Sequence, residues 1–225
     1  MSNIKKGCID MIAVIDYGLG NLFSLKSSFD YVGLDTKLTN DIEEIKNAEA
    51  IILPGVGAFR DAITILEKYG LKDVLINEAK SGKHFLGICL GMQLLFEKSY
   101  EYGEYEGLGL IKGSVEEIRK HIPENSDLKI PHMGWNSLKI NDKFKDDKIL
   151  KDINIENEEY VYYVHSFFAN TATDNIVAYS EYGTQIPGIV KNKNVCGMQF
   201  HPEKSGDTGL KLLKNWGEMI NQIRE

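Results

Sequence analysis

The first half of the chain repeats one pattern: an apolar run of strand length, a glycine-rich turn, then apolar residues at helical spacing. Met11-Ile-Ala-Val-Ile-Asp16 leads into Tyr17-Gly-Leu-Gly20, after which Leu22, Leu25, Phe29 and Val32 form a stripe closed by Gly33. Ala50-Ile-Ile-Leu53 leads into Pro54-Gly-Val-Gly57 and then Phe59, Ala62, Ile63 and Leu66. A further helical face, Leu71 to Ala79, stops at Gly82; Phe85-Leu-Gly-Ile-Cys89 is the next strand, and a helix is expected from Met92 to Glu97. Short apolar runs bounded by glycine read as buried strands, and i, i+3, i+4 stripes as amphipathic helices. Their alternation requires a parallel sheet covered on both faces.

Beyond Gly107 the pattern changes. Leu108–Ile111, Ser114–Ile118, Asn136–Ile140, Tyr160–His165, Ile176–Tyr182, Ile186–Lys191 and Val195–Phe200 read as strands with few helices between them. The charged stretch Lys139–Glu159 reads as a solvated excursion, and Leu210, Leu213, Trp216, Ile220 and Ile223 as one face of a closing helix. The expected fold class is α/β: a mostly parallel central sheet flanked by helices, with antiparallel strands added in the C-terminal half.

The 225 residues suffice for one large domain, assigned to residues 11–225, with residues 1–10 as an N-terminal extension. A net charge of −7 gives no basic footprint for nucleic acid. No apolar run approaches the length of a membrane span, and no signal-peptide core follows Met1, so a cytoplasmic location is expected. Cys8, Cys89 and Cys196 show no paired spacing, so neither a metal site, a cofactor nor a disulfide framework is expected. Free cysteines are mostly buried filler.

Cys89 differs in its neighbours. Gly87-Ile88-Cys89-Leu90-Gly91 is a G-x-nucleophile-x-G elbow with cysteine as the nucleophile. A side chain presented at a tight strand-to-helix turn needs strained backbone, and glycine two residues either side removes the collisions. A following helix would favour thiolate at its N-terminus. Taken alone, the same glycines would serve close packing of a strand on a helix. A base is needed, and Gln199-Phe-His201-Pro-Glu203 supplies one: at a strand end, His201 and Glu203 project to the same side. Histidine would activate the thiol and glutamate would orient the histidine. Among His84, His121, His132 and His165, none has a carboxylate so placed at a strand end. The Gly55-Val56-Gly57 turn can aim backbone N–H groups at a developing oxyanion, and Gln93, one turn after Cys89, can face the same cleft.

Together, Pro-Gly-Val-Gly, Gly-Ile-Cys-Leu-Gly-Met-Gln and Gln-Phe-His-Pro-Glu, in that order, resemble the class I glutamine amidotransferases. Asp16-Tyr-Gly-x-Gly-Asn21, Pro131-His-Met-Gly-Trp-Asn136 and Tyr163-Val-His-Ser166 resemble one branch of that family. In that branch a glutaminase subunit feeds ammonia to a separate (β/α)8 cyclase subunit in histidine biosynthesis. The resemblance implies a Cys89–His201–Glu203 triad, a glutamyl thioester, and oxyanion donors around Gly57 and Leu90, with Val56 in a loop that reorients. It implies that Gln93, Glu101, Ser166 and Phe167 hold glutamine; Phe167 stands where relatives commonly carry tyrosine. It further implies a heterodimer with the cyclase, with Asn21, Trp135, Tyr162 and Lys204 near the interface. Competing readings are a paralogue supplying ammonia to an enzyme that aminates nucleotide-linked sugars or surface glycans, an autonomous thiol hydrolase, and a non-catalytic binding module.

Overall fold

The computed structural model describes residues 11–20, 22–154 and 159–221. Residues 1–10 (with Cys8), Asn21 and Ile223 lie outside these, and with them the extension, one interface candidate and the end of the closing stripe.

In chain order the elements begin β1 (Ile12–Ile15), α1 (Leu22–Tyr31), β2 (Thr36–Thr39), α2 (Ile42–Asn47), β3 (Ala50–Gly55), α3 (Phe59–Lys68) and α4 (Leu71–Lys80). They continue β4 (His84–Cys89), α5 (Leu90–Gln93), β5 (Phe96–Ser99), β6 (Tyr105–Glu106), β7 (Ile111–Glu117), β8 (His132–Ile140) and β9 (Glu159–His165). The last are β10 (Phe167–Asn170), β11 (Ile176–Glu181), β12 (Gln185–Asn192), β13 (Val195–Met198) and α6 (Gly206–Asn221).

A nine-stranded sheet runs β2-β1-β3-β4-β13-β12-β11-β8-β9. Pairings from β2 to β13 are parallel and those from β13 to β9 antiparallel. The sheet is thus half parallel, and the antiparallel half is larger than the sequence pattern suggests. Successive residues of the parallel strands serve opposite faces. Ala13, Ile15, Ile51, Leu53 and Phe85 pack with α3 and α4, whereas Ile12, Val14, Ile52, Leu86 and Ile88 pack with Leu25 and Phe29 of α1 and Trp216 of α6. Burial on both faces is why these strands read as unbroken apolar runs.

Two expectations are corrected. The helix after Cys89 ends at Gln93, and Phe96–Ser99 is a strand that joins β10, β7 and β6 in a second sheet of four. Leu94, Leu95 and Phe96 are all fully buried, so no polar face is available for a surface helix. The charged stretch after Lys139 is not wholly solvated, because Ile149, Leu150 and Ile153 plug into the core. There Lys191 and Asp147 pair at 2.6 Å, both largely buried. Among the described residues no helix is long and apolar enough to cross a membrane.

Candidate active site

The carboxyl ends of β3, β4 and β13 lie side by side, where parallel sheets open a crevice for ligands. Gly55 at the end of β3 is the register partner of Cys89 at the end of β4. Cys89 has φ 55° and ψ −113°, a conformation that costs a non-glycine residue about 1–3 kcal/mol. The flanking glycines make this turn possible. A Cβ on Gly87 would lie 2.6 Å from the Gly91 carbonyl oxygen, and one on Gly91 would overlap the carbonyl of Leu53. The thiol lines a cleft of about 330 Å³ and is otherwise buried. Cys196, in contrast, sits inside β13, where burial pushes its thiol up to about 12. It is inert filler.

His201 arrives by a different local route from the one its spacing suggests. Strand β13 ends at Met198, and Pro202–Lys204 forms a 3-10 turn. The turn still closes His201 Nδ1 to 2.9 Å from Glu203 Oε1, with both side chains buried. Burial alone would lower the imidazole; hydrogen bonds and charge from Cys89 and Glu203 override it and raise His201 to about 10. Imidazolium between two acceptors is the favoured arrangement. One rival also has a carboxylate, since His121 Nε2 lies 2.6 Å from Glu116 Oε2. That pair is partly exposed and is not part of the cleft wall.

The Pro54–Gly57 turn borders the cleft through Val56 and Gly57, the latter at φ 94°, while Gly55 lies behind it. Leu90 lines the floor, and its N–H belongs to a first helical turn, which has no intrahelical partner. With only four residues, α5 supplies little of the dipole expected of a long helix.

Gln93, Glu101, Ser166 and Phe167 all line the cleft. Gln93 Nε2 donates to Phe167 O at 2.9 Å and to Gln199 Oε1 at 3.0 Å. Both donors are committed, which leaves the Gln93 carbonyl oxygen for a ligand. Glu101 Oε2 accepts from Phe59 N at 2.6 Å, at the start of α3. Burial raises its carboxyl, with Phe59 N–H opposing and Asp61 adding. Trp135 and Tyr162 are cross-strand partners on the exposed face of β8 and β9, rings 5.9 Å apart, and Lys204 Nζ lies 5.9 Å from the Tyr162 ring. Lys204 also reaches the cleft rim, so this aromatic face and the cleft are contiguous. Among the described residues no group of three or more His, Cys, Asp or Glu could hold a metal ion.

The family model for class-I glutamine amidotransferases matches residues 13–219. The chain belongs to this family. As a class-I amidotransferase it is a glutamine-hydrolysing enzyme. It is 54% identical over 211 residues to the imidazole glycerol phosphate synthase subunit HisH of Caldanaerobacter subterraneus, covering 93% of this chain and 98% of that one. The HisH subunit of Oceanobacillus iheyensis is 48% identical, with 93% and 100% covered. Among solved structures, PurLQS from Thermotoga maritima superposes with a TM-score of 0.70, covering 93% of this chain and 98% of that one, at 19% identity. A glutamine amidotransferase crystal structure gives 0.68 with 92% and 98% covered, also at 19% identity. At that identity the two superpositions show the fold alone.

Three further residues at the site of this class-I amidotransferase have placements that the motifs do not assign. Tyr17 is buried, and its hydroxyl donates to Pro54 O at 2.9 Å, bracing the glycine turn. Burial, with Cys89 adding, holds its phenol well above the ordinary range. Tyr102, exposed at the cleft mouth with φ 53°, sets its ring edge-on to Phe167 at 5.7 Å. His165 lines the cleft from β9, and burial with the neighbouring His132 lowers its imidazole to about 3. Tyr17 and His165 stand inside the Asp16–Asn21 and Tyr163–Ser166 motifs, whereas Tyr102 lies in none.

Proposed function

We propose that the chain is the glutaminase subunit of an imidazole glycerol phosphate synthase and that Cys89, His201 and Glu203 carry its chemistry. The observation that bears most weight is 54% identity to a HisH subunit across 98% of that subunit's length. Cys89 on its strained elbow, hydrogen-bonded to a buried His201 that Glu203 orients, supports the assignment of roles.

Cys89 Sγ attacks the side-chain amide carbon of glutamine. The tetrahedral oxyanion is met by backbone N–H groups of Leu90 and of the Val56–Gly57 loop. His201 gives its proton to the departing ammonia, leaving a glutamyl thioester on Cys89. It then takes a proton from water, which attacks the thioester and releases glutamate. Gln93 accepts from the substrate amide through its free carbonyl oxygen. The Glu101 carboxylate faces the substrate ammonium, and backbone at Ser166 and Phe167 bounds the pocket. The ammonia passes to a (β/α)8 cyclase subunit bound as a heterodimer against Trp135, Tyr162 and Lys204, with Asn21 assigned to the same interface. The enzyme works in the cytoplasm.

Reconstitution with a histidine-pathway cyclase tests this reading. Glutamine-dependent product formation and stimulated glutamate release are expected. Product formation with free ammonia but never with glutamine would overturn it.

A further inference from the structure

Two buried histidines outside the triad face each other across β8 and β9, where His132 and His165 are register partners. His132 is stacked between Tyr182, centroid 3.9 Å away, and Tyr163, at 4.6 Å. Polar contacts continue from this pair in both directions. His165 Nδ1 lies 2.8 Å from Phe167 O, and His165 Nε2 lies 3.0 Å from His132 Nδ1. His132 Nε2 lies 3.3 Å from Asn136 Nδ2, which also donates to Glu181 O at 3.0 Å.

The proton positions follow from the ends of this chain. A carbonyl oxygen can only accept, so His165 Nδ1 carries a hydrogen. A neutral His165 then accepts at Nε2, which requires a hydrogen on His132 Nδ1. A neutral His132 accepts at Nε2, and there the Asn136 amide presents N–H. Glu181 O fixes the Asn136 amide in that orientation, because its oxygen could not face a carbonyl. Neutrality is what the surroundings impose: burial lowers His132 to about 4, and burial with the neighbouring His132 lowers His165 to about 3. Every hydrogen bond therefore points one way, from Asn136 to Phe167 O. Bonds aligned head to tail polarise one another.

Phe167 O is also the acceptor that holds Gln93 Nε2. We infer that His132 and His165 are positioning residues for glutamine, a one-way hydrogen-bond chain that fixes the Phe167 carbonyl and hence the Gln93 amide in the substrate pocket. The inference rests on the proposed glutamine site and adds to it residues that touch no substrate atom (His132, Asn136). It also gives the sheet face behind Trp135 a physical link to the pocket, since Asn136 follows Trp135 on β8 and reaches His132 on the other face.

Two measurements test it. In the full-length parent chain, imidazole 15N shifts at neutral pH should report hydrogen on Nδ1 and none on Nε2 for both rings. An Nε2–H tautomer or an imidazolium at either ring would overturn the chain of bonds. In the reconstituted synthase, His132→Phe keeps a ring between the two tyrosines but removes both bonds. The KM for glutamine should rise about fivefold or more with kcat within about threefold. His132→Asn, which returns a donor near the Nδ1 position, should recover most of the loss. An unchanged KM, or a loss confined to kcat, would overturn the positioning role. Should His132→Phe fail to fold, Asn136→Leu removes the first donor instead, with the same KM and tautomer readouts deciding. Failure of the functional proposal would look different: no glutamate release by the parent complex, with both tautomers as stated.

Discussion

At the residue scale, the strained turn at Cys89 is legible because its demands fall on its neighbours. A side chain held at a strained strand-to-helix turn needs space two residues either side, and glycine at 87 and 91 records that need in the sequence. Cys89→Ala should lower glutamate release at least about 10³-fold while the thermal midpoint stays within a few degrees of the parent; parent-like turnover would remove Cys89 from the mechanism. His201 and Glu203 were legible as a pair, although through a mistaken local structure. Spacing suggested an extended strand, whereas Pro202 starts a 3-10 turn that brings the same atoms together. The pair also has a signature in stability. The folded-state value of His201 is raised to about 10, against about 6.5 for an unfolded histidine, so its contribution is complete below about pH 6.5. It is lost as pH rises through about 10. Glu203→Gln removes one cause of that rise. The variant's deficit in thermal midpoint should therefore be largest near pH 6 and shrink toward pH 10, as read by melting curves across that range.

At the element scale, strands buried on both faces announce themselves by unbroken apolar runs, and short surface elements do not. Strand β2 has four residues with two exposed, and α2 has six with only Ile45 buried, so neither builds a periodic pattern. A local signal for α2 was present in Asp41-x-x-Glu44: the Asp41 carboxylate accepts from Glu43 N at 2.8 Å and Glu44 N at 3.0 Å. The short α5 was misread because Leu94, Leu95 and Phe96 continue the apolar character of a helix while being buried on every side. One glycine within α5 and one packed against it give a graded test of the elbow's packing. On Gly91 a Cβ meets rigid backbone of β3, whereas on Gly197 of β13 it meets the flexible Met92 side chain at 2.6 Å. Gly91→Ala should cost about 3 kcal/mol or more and abolish alkylation of Cys89. Gly197→Ala should cost about 1–2 kcal/mol and keep the thiol reactive. Denaturant unfolding and a thiol-modification time course measure both; equal costs would show that Met92 cannot yield.

At the scale of the whole molecule, the parallel half of the sheet brings Gly57, Cys89 and His201 to the cleft, and the antiparallel half adds His165 to its wall and a sheet face beside it. Contacts across that half could not be read from spacing, because they depend on cross-strand register: His132 opposite His165, and Trp135 opposite Tyr162. Alternation along β8 then divides the labour. Buried His132 and half-buried Asn136 share one face, while Met133 and Trp135 look outward from the other, each more than half exposed. A tryptophan left open beside Tyr162 and Lys204 is costly for a protein alone and useful to one with a partner, since aromatic residues dominate interface energetics. Trp135→Ala should therefore leave the melting temperature of the isolated chain within about 2 °C. The same change should weaken cyclase binding about thirtyfold or more, the loss of a hot-spot residue worth about 2 kcal/mol. Titration calorimetry of the two subunits measures the affinity and melting of the free subunit measures the fold. Undiminished binding would move the partner surface away from β8 and β9, and with it the route by which a bound partner could reach Phe167 through Asn136 and the two histidines.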